Sequence, residues 1–309
     1  MAPQEIASLV CSKLKEGGYR GAVVPIERVA QLKQEIEERL NQKEIDAGLY
    51  KRYLSSFKFD VTANLPTIRS IIVTAAPQPQ RKVTFDFSGK TFSVTIPPTY
   101  YSDTDDQIRN ILENALNTRG YQLHRAALPL KLLAVRSGMA RYGKNNIAYV
   151  KGLGSFLRLR AFLSDMPSDG TDWLEPQVME DCDRCRACLK ACPTGAIVPD
   201  RFLVHAEKCI TFVNEWPEEF PEWIDPAWHN SLVGCMKCQL ICPVNKPFAK
   251  WVAEGESFDE AETRAILNGA PPDCLPPATV NKLKHCYMLD SMDVLPRNLR
   301  ALMKRSVAE

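Results

Sequence analysis

Eight of the 11 cysteines in this chain of 309 residues lie between positions 182 and 242. The first four form the run Cys-x2-Cys-x2-Cys-x3-Cys-Pro, from Cys182 to Pro193. Thiols at two-residue intervals surround three corners of an iron–sulfur cubane, and the fourth cysteine, followed by proline, reaches a second cluster. The run therefore constrains the fold more than any hydrophobic pattern does, because the chain must wrap around an inorganic core.

A second, shorter motif supplies Cys235, Cys238 and Cys242, the last again followed by proline. It lacks one of the three loop cysteines, and Cys209 is the obvious candidate for the missing corner. Eight thiolates then match the eight iron atoms of two [4Fe–4S] clusters. We predict two ligand sets: Cys182, Cys185, Cys188 and Cys242 for one cluster, and Cys192, Cys209, Cys235 and Cys238 for the other.

Two structural zinc sites are the alternative, since Cys-x2-Cys pairs also bind zinc. Zinc ribbons, however, do not need a four-cysteine run that ends in proline. The remaining cysteines, Cys11, Cys274 and Cys286, are scattered along the chain. We expect them to be ordinary small apolar residues, because free cysteine is often buried.

The ends and the composition of the sequence indicate its compartment. The chain does not begin with the basic and apolar regions of an export signal, and no apolar run approaches the roughly 18 residues of a membrane helix. We therefore expect a soluble cytoplasmic protein without a membrane partner. The net charge of +2 does not predict nucleic-acid binding.

Periodicity outside the cysteine block predicts a mixed fold, an α/β or α+β sandwich. Residues 1–55 have the spacing of helices, one at 4–16 and a second that Pro25 opens. The run at 69–76 predicts a buried strand, and 82–96 predicts a hairpin around Ser88-Gly89-Lys90. The other predicted elements are helices at 105–120 and 128–138, a strand pair at 146–150 and 156–163, and short helices after residue 251.

Several segments resemble a known family. The blocks Arg136–Asn145, Gly154–Phe156 and Leu163–Asp165 resemble the cobalamin-dependent epoxyqueuosine reductases and, more distantly, the reductive dehalogenases. The run LPTIRSIIVTAAPQP at 65–79 resembles the first core strand of that family. The cysteine pattern, with its lone Cys209 and its Cys-Pro-Val-Asn-Lys ending, is similar too.

The resemblance implies an α+β protein of three parts. A nitroreductase-like α/β domain at 1–170 would bind base-off cobalamin, a bacterial two-[4Fe–4S] ferredoxin-like domain would occupy 171–250, and a short helical extension would occupy 251–309. The clusters would deliver electrons to the cobalamin, which carries out the difficult chemistry. For Gly143 a role in a tight turn alone is the alternative. The positions that match the family's cofactor contacts are Gly143, Lys144, Asn145, Ala148, Ser155, Leu159, Thr211 and Asn214.

The sequence departs from the family at three points. The family's proton-donating aspartate lies 14 residues before the glycine that matches Gly138, and His124 occupies that position here. We predict His124 as the catalytic acid, because histidine donates a proton near neutral pH; a partly buried histidine without a catalytic role is the alternative. The chain also ends at Glu309, with little room for the helical-repeat domain typical of the tRNA enzymes. The tract at 100–106 lacks the basic and aromatic pattern expected of those enzymes.

These departures favour a small-molecule substrate over epoxyqueuosine-tRNA. We therefore predict a cobalamin-dependent iron–sulfur oxidoreductase that receives electrons from an external donor such as ferredoxin or flavodoxin. The alternative is a ferredoxin-type module that carries electrons to a partner enzyme, with or without a corrinoid. Arg158, Arg160, Arg184 and Arg186 are expected to lie on a solvated face; the alternative is that they line a surface for the cobalamin phosphate or a partner.

Overall fold

The computed structural model describes residues 2–170 and 173–308, and helices and strands alternate along this part of the chain. Its α-helices are α1 (Pro3–Glu16), α2 (Arg28–Asn41), α3 (Ala47–Arg52), α4 (Val61–Asn64), α5 (Asp103–Asn117), α6 (Leu130–Arg136), α7 (Ala187–Ala191), α8 (Ile210–Asn214), α9 (Lys237–Leu240), α10 (Glu260–Leu267), α11 (Pro277–His285) and α12 (Leu295–Ala308). Its strands are β1 (Arg20–Pro25), β2 (Ser70–Pro77), β3 (Gln80–Phe87), β4 (Lys90–Ile96), β5 (Leu123–Arg125), β6 (Ala140–Tyr142), β7 (Ala148–Val150), β8 (Leu157–Ser164) and β9 (Val252–Phe258).

These elements belong to two units. Unit 1 comprises Met1–Pro77, Ser102–Cys185 and Pro199–Leu203, and unit 2 comprises Gln78–Tyr101, Arg186–Val198 and Val204–Glu309. Strands paired mainly in antiparallel fashion, with helices packed on them, make the fold a mixed α+β structure, as predicted.

Unit 1 is built on an antiparallel sheet with the strand order β1-β2-β8-β5. Successive residues of β2 face opposite sides of this sheet. Ile71 and Val73 pack in one core with residues of α2 and α6, whereas Ile72 and Ala76 pack in another with residues of α1 and α5. Burial on both faces explains why the predicted strand at 69–76 is continuously apolar rather than alternating.

Unit 2 contains the predicted hairpin, now β3 and β4. Its two turn residues, Ser88 and Gly89, have φ values of 51° and 73°, as a type I′ turn requires. Strand β9 extends this sheet parallel to β3, and the rings of Phe85 and Phe258 stack with centroids 4.8 Å apart. Apolar residues of α10, α11 and α12 complete the core of the unit.

Two predictions differ from the structure: strand β1 was not predicted, and the two strands at 146–150 and 156–163 do not pair with each other. Residues 20–25 form strand β1, so Pro25 ends a strand and the next helix begins only at Arg28. The helix predicted after Pro25 forms as α2, whereas pairing with β2 makes Arg20–Pro25 a strand within a region expected to be helical. The expected strand pair at 146–150 and 156–163 also does not form: β7 pairs with β6, and β8 pairs with β2 and β5.

The unit boundaries differ from the predicted division at residues 170 and 250. The hairpin at 80–96 belongs to unit 2 because β3 pairs with β9, which follows the cysteine block. Residues 171 and 172, at the first predicted boundary, lie outside the described residues. The division into functional domains at 1–170, 171–250 and 251–309 stays a prediction. Within the described ranges, no helix is long and apolar enough to cross a lipid bilayer.

Candidate iron–sulfur site

The eight motif cysteines are all half-buried. Short helical turns position them. The amide of Cys185 donates to the carbonyl oxygen of Cys182. At the end of α7, the amide of Cys192 donates to the carbonyl oxygen of Cys188 over 3.1 Å. Helix α9 carries Cys238, and it packs against α7 in unit 2. The division between the two units falls after Cys185, so the other six cysteines belong to unit 2.

Three cysteines of the second predicted ligand set interact within unit 2. Burial raises the pKa of the Cys209 thiol, and the negative charges of Cys235 and Cys192 raise it further. Burial likewise raises the pKa of the Cys235 thiol, and the negative charge of Cys192 raises it further. Two neighbouring thiols with raised pKa values, Cys209 and Cys235, are suited to cationic iron, which takes the place of the protons.

Hydrogen bonds reach the sulfurs of the same three cysteines. Asn230 Nδ2 lies 3.1 Å from Cys235 Sγ, and Thr194 Oγ1 lies 3.5 Å from Cys192 Sγ. Thr211 follows Cys209 by two residues, and its amide and hydroxyl lower the pKa of the Cys209 thiol, against the effect of burial. No motif in the sequence marks Asn230 or Thr194 as part of the site. The only available indication was their position within five residues of a motif cysteine.

The three cysteines outside the motifs lie in different environments. Cys286 is buried, and its burial raises the pKa of the thiol to about 11. Cys11 is half-buried, and its thiol donates to the carbonyl oxygen of Gly21 over 3.4 Å. Cys274 is exposed, unlike the buried apolar residue that was expected. Among the described residues, no three His, Cys, Asp or Glu side chains converge to hold a single metal ion.

His124, the predicted catalytic acid, lies on β5 at the edge of the unit 1 sheet, opposite Leu163 of β8. Its side chain is half-buried. It lies on the sheet face of Leu163, whereas Leu123 and Arg125 lie on the opposite face. In the described part of the chain, its imidazole makes no hydrogen bond or ion pair. Its role as an acid stays a prediction.

Six of the predicted cobalamin contacts lie in unit 1, on or near the hairpin of β6 and β7. In the loop, the Gly143 amide donates to the carbonyl oxygen of Ile147 over 2.9 Å. A Cβ atom at Gly143 would lie 2.5 Å from Asn145 Oδ1 and 2.7 Å from the Tyr149 ring, so packing alone requires glycine here. Asn146 Nδ2 is buried without a hydrogen-bond partner among the described residues. Of the six, Lys144 is half-buried, and Gly143, Asn145, Ala148, Ser155 and Leu159 are buried.

The other two predicted contacts, Thr211 and Asn214, lie on α8 in unit 2. Asn214 is fully buried, and its Nδ2 donates to the carbonyl oxygen of Gly234 over 2.8 Å, next to Cys235. Its Oδ1 has no hydrogen-bond partner in the described part of the chain. Asn146 and Asn214 thus each leave one amide atom for a polar ligand, an arrangement compatible with a cofactor.

Of the four arginines expected on a solvated face, Arg184 and Arg186 are exposed, whereas Arg158 and Arg160 are not. The latter two donate to the buried carboxylate of Asp105 over 2.9 and 2.6 Å, and the exposed side chain of Arg125 donates over 3.2 Å. Burial raises the pKa of the Asp105 carboxyl, and the charge of Arg160 opposes that rise. The carboxylate is thus the centre of an internal ion-pair cluster that the sequence did not reveal.

Comparison with known proteins identifies the cysteine segment. Residues 181–245 match the family model described as a 4Fe-4S double cluster binding domain. The match supports two [4Fe–4S] clusters, as predicted, rather than zinc. It does not test the distribution of the eight cysteines between the clusters, which stays a prediction.

Curated relatives match over part of their length. The epoxyqueuosine reductase of Salmonella typhimurium is 37% identical over 81 residues, which is 26% of this chain and 20% of that protein. The epoxyqueuosine reductase of Bacillus subtilis is 29% identical over 164 residues, 49% of this chain and 41% of that protein. The matched segment thus spans about a fifth of the length of the Salmonella relative.

Solved structures match over nearly the whole chain. A selenomethionine-labelled epoxyqueuosine reductase aligns over 98% of this chain and 82% of its own, with a TM-score of 0.69 and 19% identity. An epoxyqueuosine reductase solved with an epoxyqueuosine-modified tRNA-Tyr stem loop aligns over 98% and 80%, with a TM-score of 0.66 and 19% identity. This chain has the fold of the epoxyqueuosine reductases. The Bacillus subtilis enzyme, solved with an aspartate catalytic loop swung out of its active site, aligns over 90% and 82%, with a TM-score of 0.57 and 20% identity.

Proposed function

We propose that this chain is an iron–sulfur oxidoreductase that reduces epoxyqueuosine in tRNA. One observation carries the proposal: a double-cluster segment at 181–245 lies in a chain whose fold aligns over 98% of its length with an epoxyqueuosine reductase. The tRNA stem loop in a related structure supports a tRNA substrate. The small-molecule substrate predicted from the sequence has no support in the comparisons, and we no longer favour it.

The proposed reaction requires electrons and protons in equal number. Reduction of an epoxide takes up two electrons and two protons. Each [4Fe–4S] cluster transfers one electron at a time, so two clusters suit a two-electron reaction fed by a one-electron donor. Eight cysteines would hold them, in the sets Cys182, Cys185, Cys188 and Cys242, and Cys192, Cys209, Cys235 and Cys238.

We propose His124 as the donor of a proton to the substrate. Its imidazole is half-buried and has no partner among the described residues, so it is free to bind an oxygen atom that leaves the epoxide. Histidine can give up a proton near neutral pH, as a carboxylic acid does at lower pH. A histidine would thereby replace the aspartate that the resemblance leads us to expect at this position.

We also propose cobalamin as a further cofactor. The residues that would hold it are Gly143, Lys144, Asn145, Ala148, Ser155, Leu159, Thr211 and Asn214. The unpartnered amide atoms of Asn146 and Asn214 support a polar ligand in each region. Bound cobalamin would supply a strongly reducing cobalt centre, whereas the protein would bind and orient it. Kinship with the reductive dehalogenases stays a prediction.

A second candidate function is an electron-transfer module for a partner enzyme. The side chains of Leu240 and Ile241, between two motif cysteines, are 39% and 50% exposed. An apolar pair at the surface of a cluster motif is suited to contact with a protein partner. The same surface would also receive an external donor such as ferredoxin or flavodoxin, so it does not exclude the enzyme.

The test is a turnover assay on anaerobically reconstituted protein. Protein loaded with iron, sulfide and cobalamin is mixed with reduced flavodoxin and either an epoxyqueuosine-containing tRNA stem loop or the free epoxyqueuosine nucleoside. Conversion of the stem loop supports the proposal, whereas conversion of the nucleoside alone would restore the small-molecule alternative. Reduced clusters without turnover of either substrate would favour the electron-transfer module. A base-off cobalamin spectrum tests the cofactor separately, and its absence would remove cobalamin from the proposal.

A further inference from the structure

Three side chains outside the ligand set approach the sulfurs of one predicted cluster. They are Asn230, Thr211 and Thr194, which contact Cys235, Cys209 and Cys192 respectively. We infer that these three residues set the reduction potential of the cluster held by Cys192, Cys209, Cys235 and Cys238, by donating hydrogen bonds to its sulfurs. The inference rests on the cluster assignment in the proposed function, but not on the substrate.

The amide of Asn230 has only one satisfactory orientation. Its Oδ1 accepts from the amide of Met236 over 2.8 Å and from the hydroxyl of Ser231 over 3.2 Å. Its Nδ2 donates to the carbonyl oxygen of Trp228 over 3.1 Å and to Cys235 Sγ over 3.1 Å. A flipped amide would bring Oδ1 against the Trp228 carbonyl and Nδ2 against the Met236 amide, losing both bonds. The N–H group therefore points at the sulfur.

The two threonines must also act as donors once iron is bound. A hydroxyl can donate or accept, but an iron-ligating thiolate carries no proton and can only accept. Thr211 lies two residues after Cys209, and Thr194 lies two residues after Cys192. Both hydroxyls are thus held beside the sulfur by the local turn. Backbone amides of Thr211 and Lys237 add further donors to Cys209 and Cys235.

Donors at sulfur favour the reduced cluster. One-electron reduction adds a negative charge that spreads over the iron and sulfur atoms, and an N–H or O–H dipole aimed at a sulfur stabilises it. The surroundings are half-buried, so water screens these dipoles only partly. The three side chains therefore raise the reduction potential of this cluster, which makes it a better acceptor of electrons. They are positioning residues, because they act through the ligands.

The experiment is an EPR-monitored redox titration of the reconstituted, cluster-loaded protein. The variants Thr211→Val and Thr194→Val each remove one hydroxyl with little change in side-chain shape, and Asn230→Leu removes the amide. Thr263→Val is the matched control, since the hydroxyl of Thr263 contacts the carbonyl oxygen of Phe258 rather than a sulfur. Ser231→Ala removes the hydroxyl that donates to Asn230 Oδ1, but it leaves the N–H group of Asn230 that points toward Cys235. Iron content and the visible spectrum of each variant establish that both clusters are bound.

We expect Thr211→Val and Thr194→Val each to shift the potential of one and the same cluster to a more negative value. The other cluster should keep its potential, as should both clusters in the Thr263→Val and Ser231→Ala variants. The inference is overturned if the fully loaded Thr211→Val and Thr194→Val proteins have the same cluster potentials as the wild-type protein. This holds even if Asn230→Leu does not fold or does not bind its clusters. A wild-type chain that binds no clusters would instead refute the proposed function itself.

Discussion

Arg136 donates to Glu35 Oε2 over 2.6 Å, and the pair joins α6 to α2 on one side of the unit 1 sheet. Only 14% of the Arg136 side chain and 11% of the Glu35 side chain are exposed. Arg136 also begins one of the segments on which the family resemblance rests. Its contacts here give it a structural role, since it connects two helices that cover the same sheet face.

Loss of the Glu35 charge should therefore destabilise unit 1. Removing one partner of a buried ion pair leaves the other charge desolvated, but Arg136 keeps its contact with Glu175, so we expect Glu35→Gln to cost about 2 kcal/mol. The control is Glu175→Gln, because that partner of the same arginine is 84% exposed. It should cost less than about 0.5 kcal/mol in a denaturant titration. Equal costs for the two variants would contradict a buried, structural pair.

The buried imidazole of His229 should make stability depend on pH. Burial, aided by the charge of Arg297, lowers the pKa of His229 to about 4, against about 6.5 for a free histidine. A depressed pKa means that the folded state favours the neutral ring. The contribution of His229 to the free energy of unfolding is therefore complete above a pH of about 6.5, and it is lost as the pH falls toward 4. Between these two pH values, the titration of His229 lowers the free energy of unfolding by about 3 kcal/mol.

We expect His229→Met to remove this part of the acid sensitivity. Both ring nitrogens lack a hydrogen-bond partner among the described residues, so the apolar side chain should not weaken the protein at neutral pH. His285→Gln is the control, because the His285 side chain is 70% exposed. The measurement is the free energy of unfolding of cluster-loaded protein between pH 7 and pH 5. Parallel wild-type and His229→Met curves would refute the prediction.

Removal of Cys209 tests the predicted ligand count. Cys209→Ala should leave one corner of one cluster without a thiolate, so iron should fall from about eight atoms per chain to about four. Cys274→Ala, which removes an exposed cysteine outside the motifs, should retain all of its iron. A Cys209→Ala protein with two intact clusters by iron analysis and EPR would show that the eighth ligand lies elsewhere.

Substitution of His124 tests the proposed proton donor. General acid catalysis typically contributes about 10²- to 10⁴-fold, so His124→Gln should lower kcat on the epoxyqueuosine stem loop within that range. The cluster and cobalamin spectra should not change. His205→Gln is the control, because the imidazole of His205 binds Glu207 within its own turn, 3.0 Å away. An unchanged kcat in His124→Gln would remove this residue from the mechanism.

Local sequence patterns predicted the elements whose contacts are local. The hairpin of β3 and β4 follows from Ser88-Gly89, because two residues with positive φ turn the chain within the pair. Helix α5 follows from apolar residues at helical spacing. Strand β1 was mistaken for helix because its partner, β2, lies about 50 residues away in sequence, and nothing within β1 itself indicates that pairing.

The double-cluster segment was determined by the sequence alone, because a cubane accepts cysteines only at spacings that a short loop can span. The tertiary structure decided what surrounds it. Whether Asn230 points at Cys235 depends on Trp228 and Met236, and the burial of Arg158 and Arg160 depends on Asp105, which lies on a separate helix. Likewise β3 pairs with β9, which lies about 170 residues later in the sequence. Motif spacing is a property of adjacent residues, whereas burial and hydrogen-bond direction arise only when distant segments pack together.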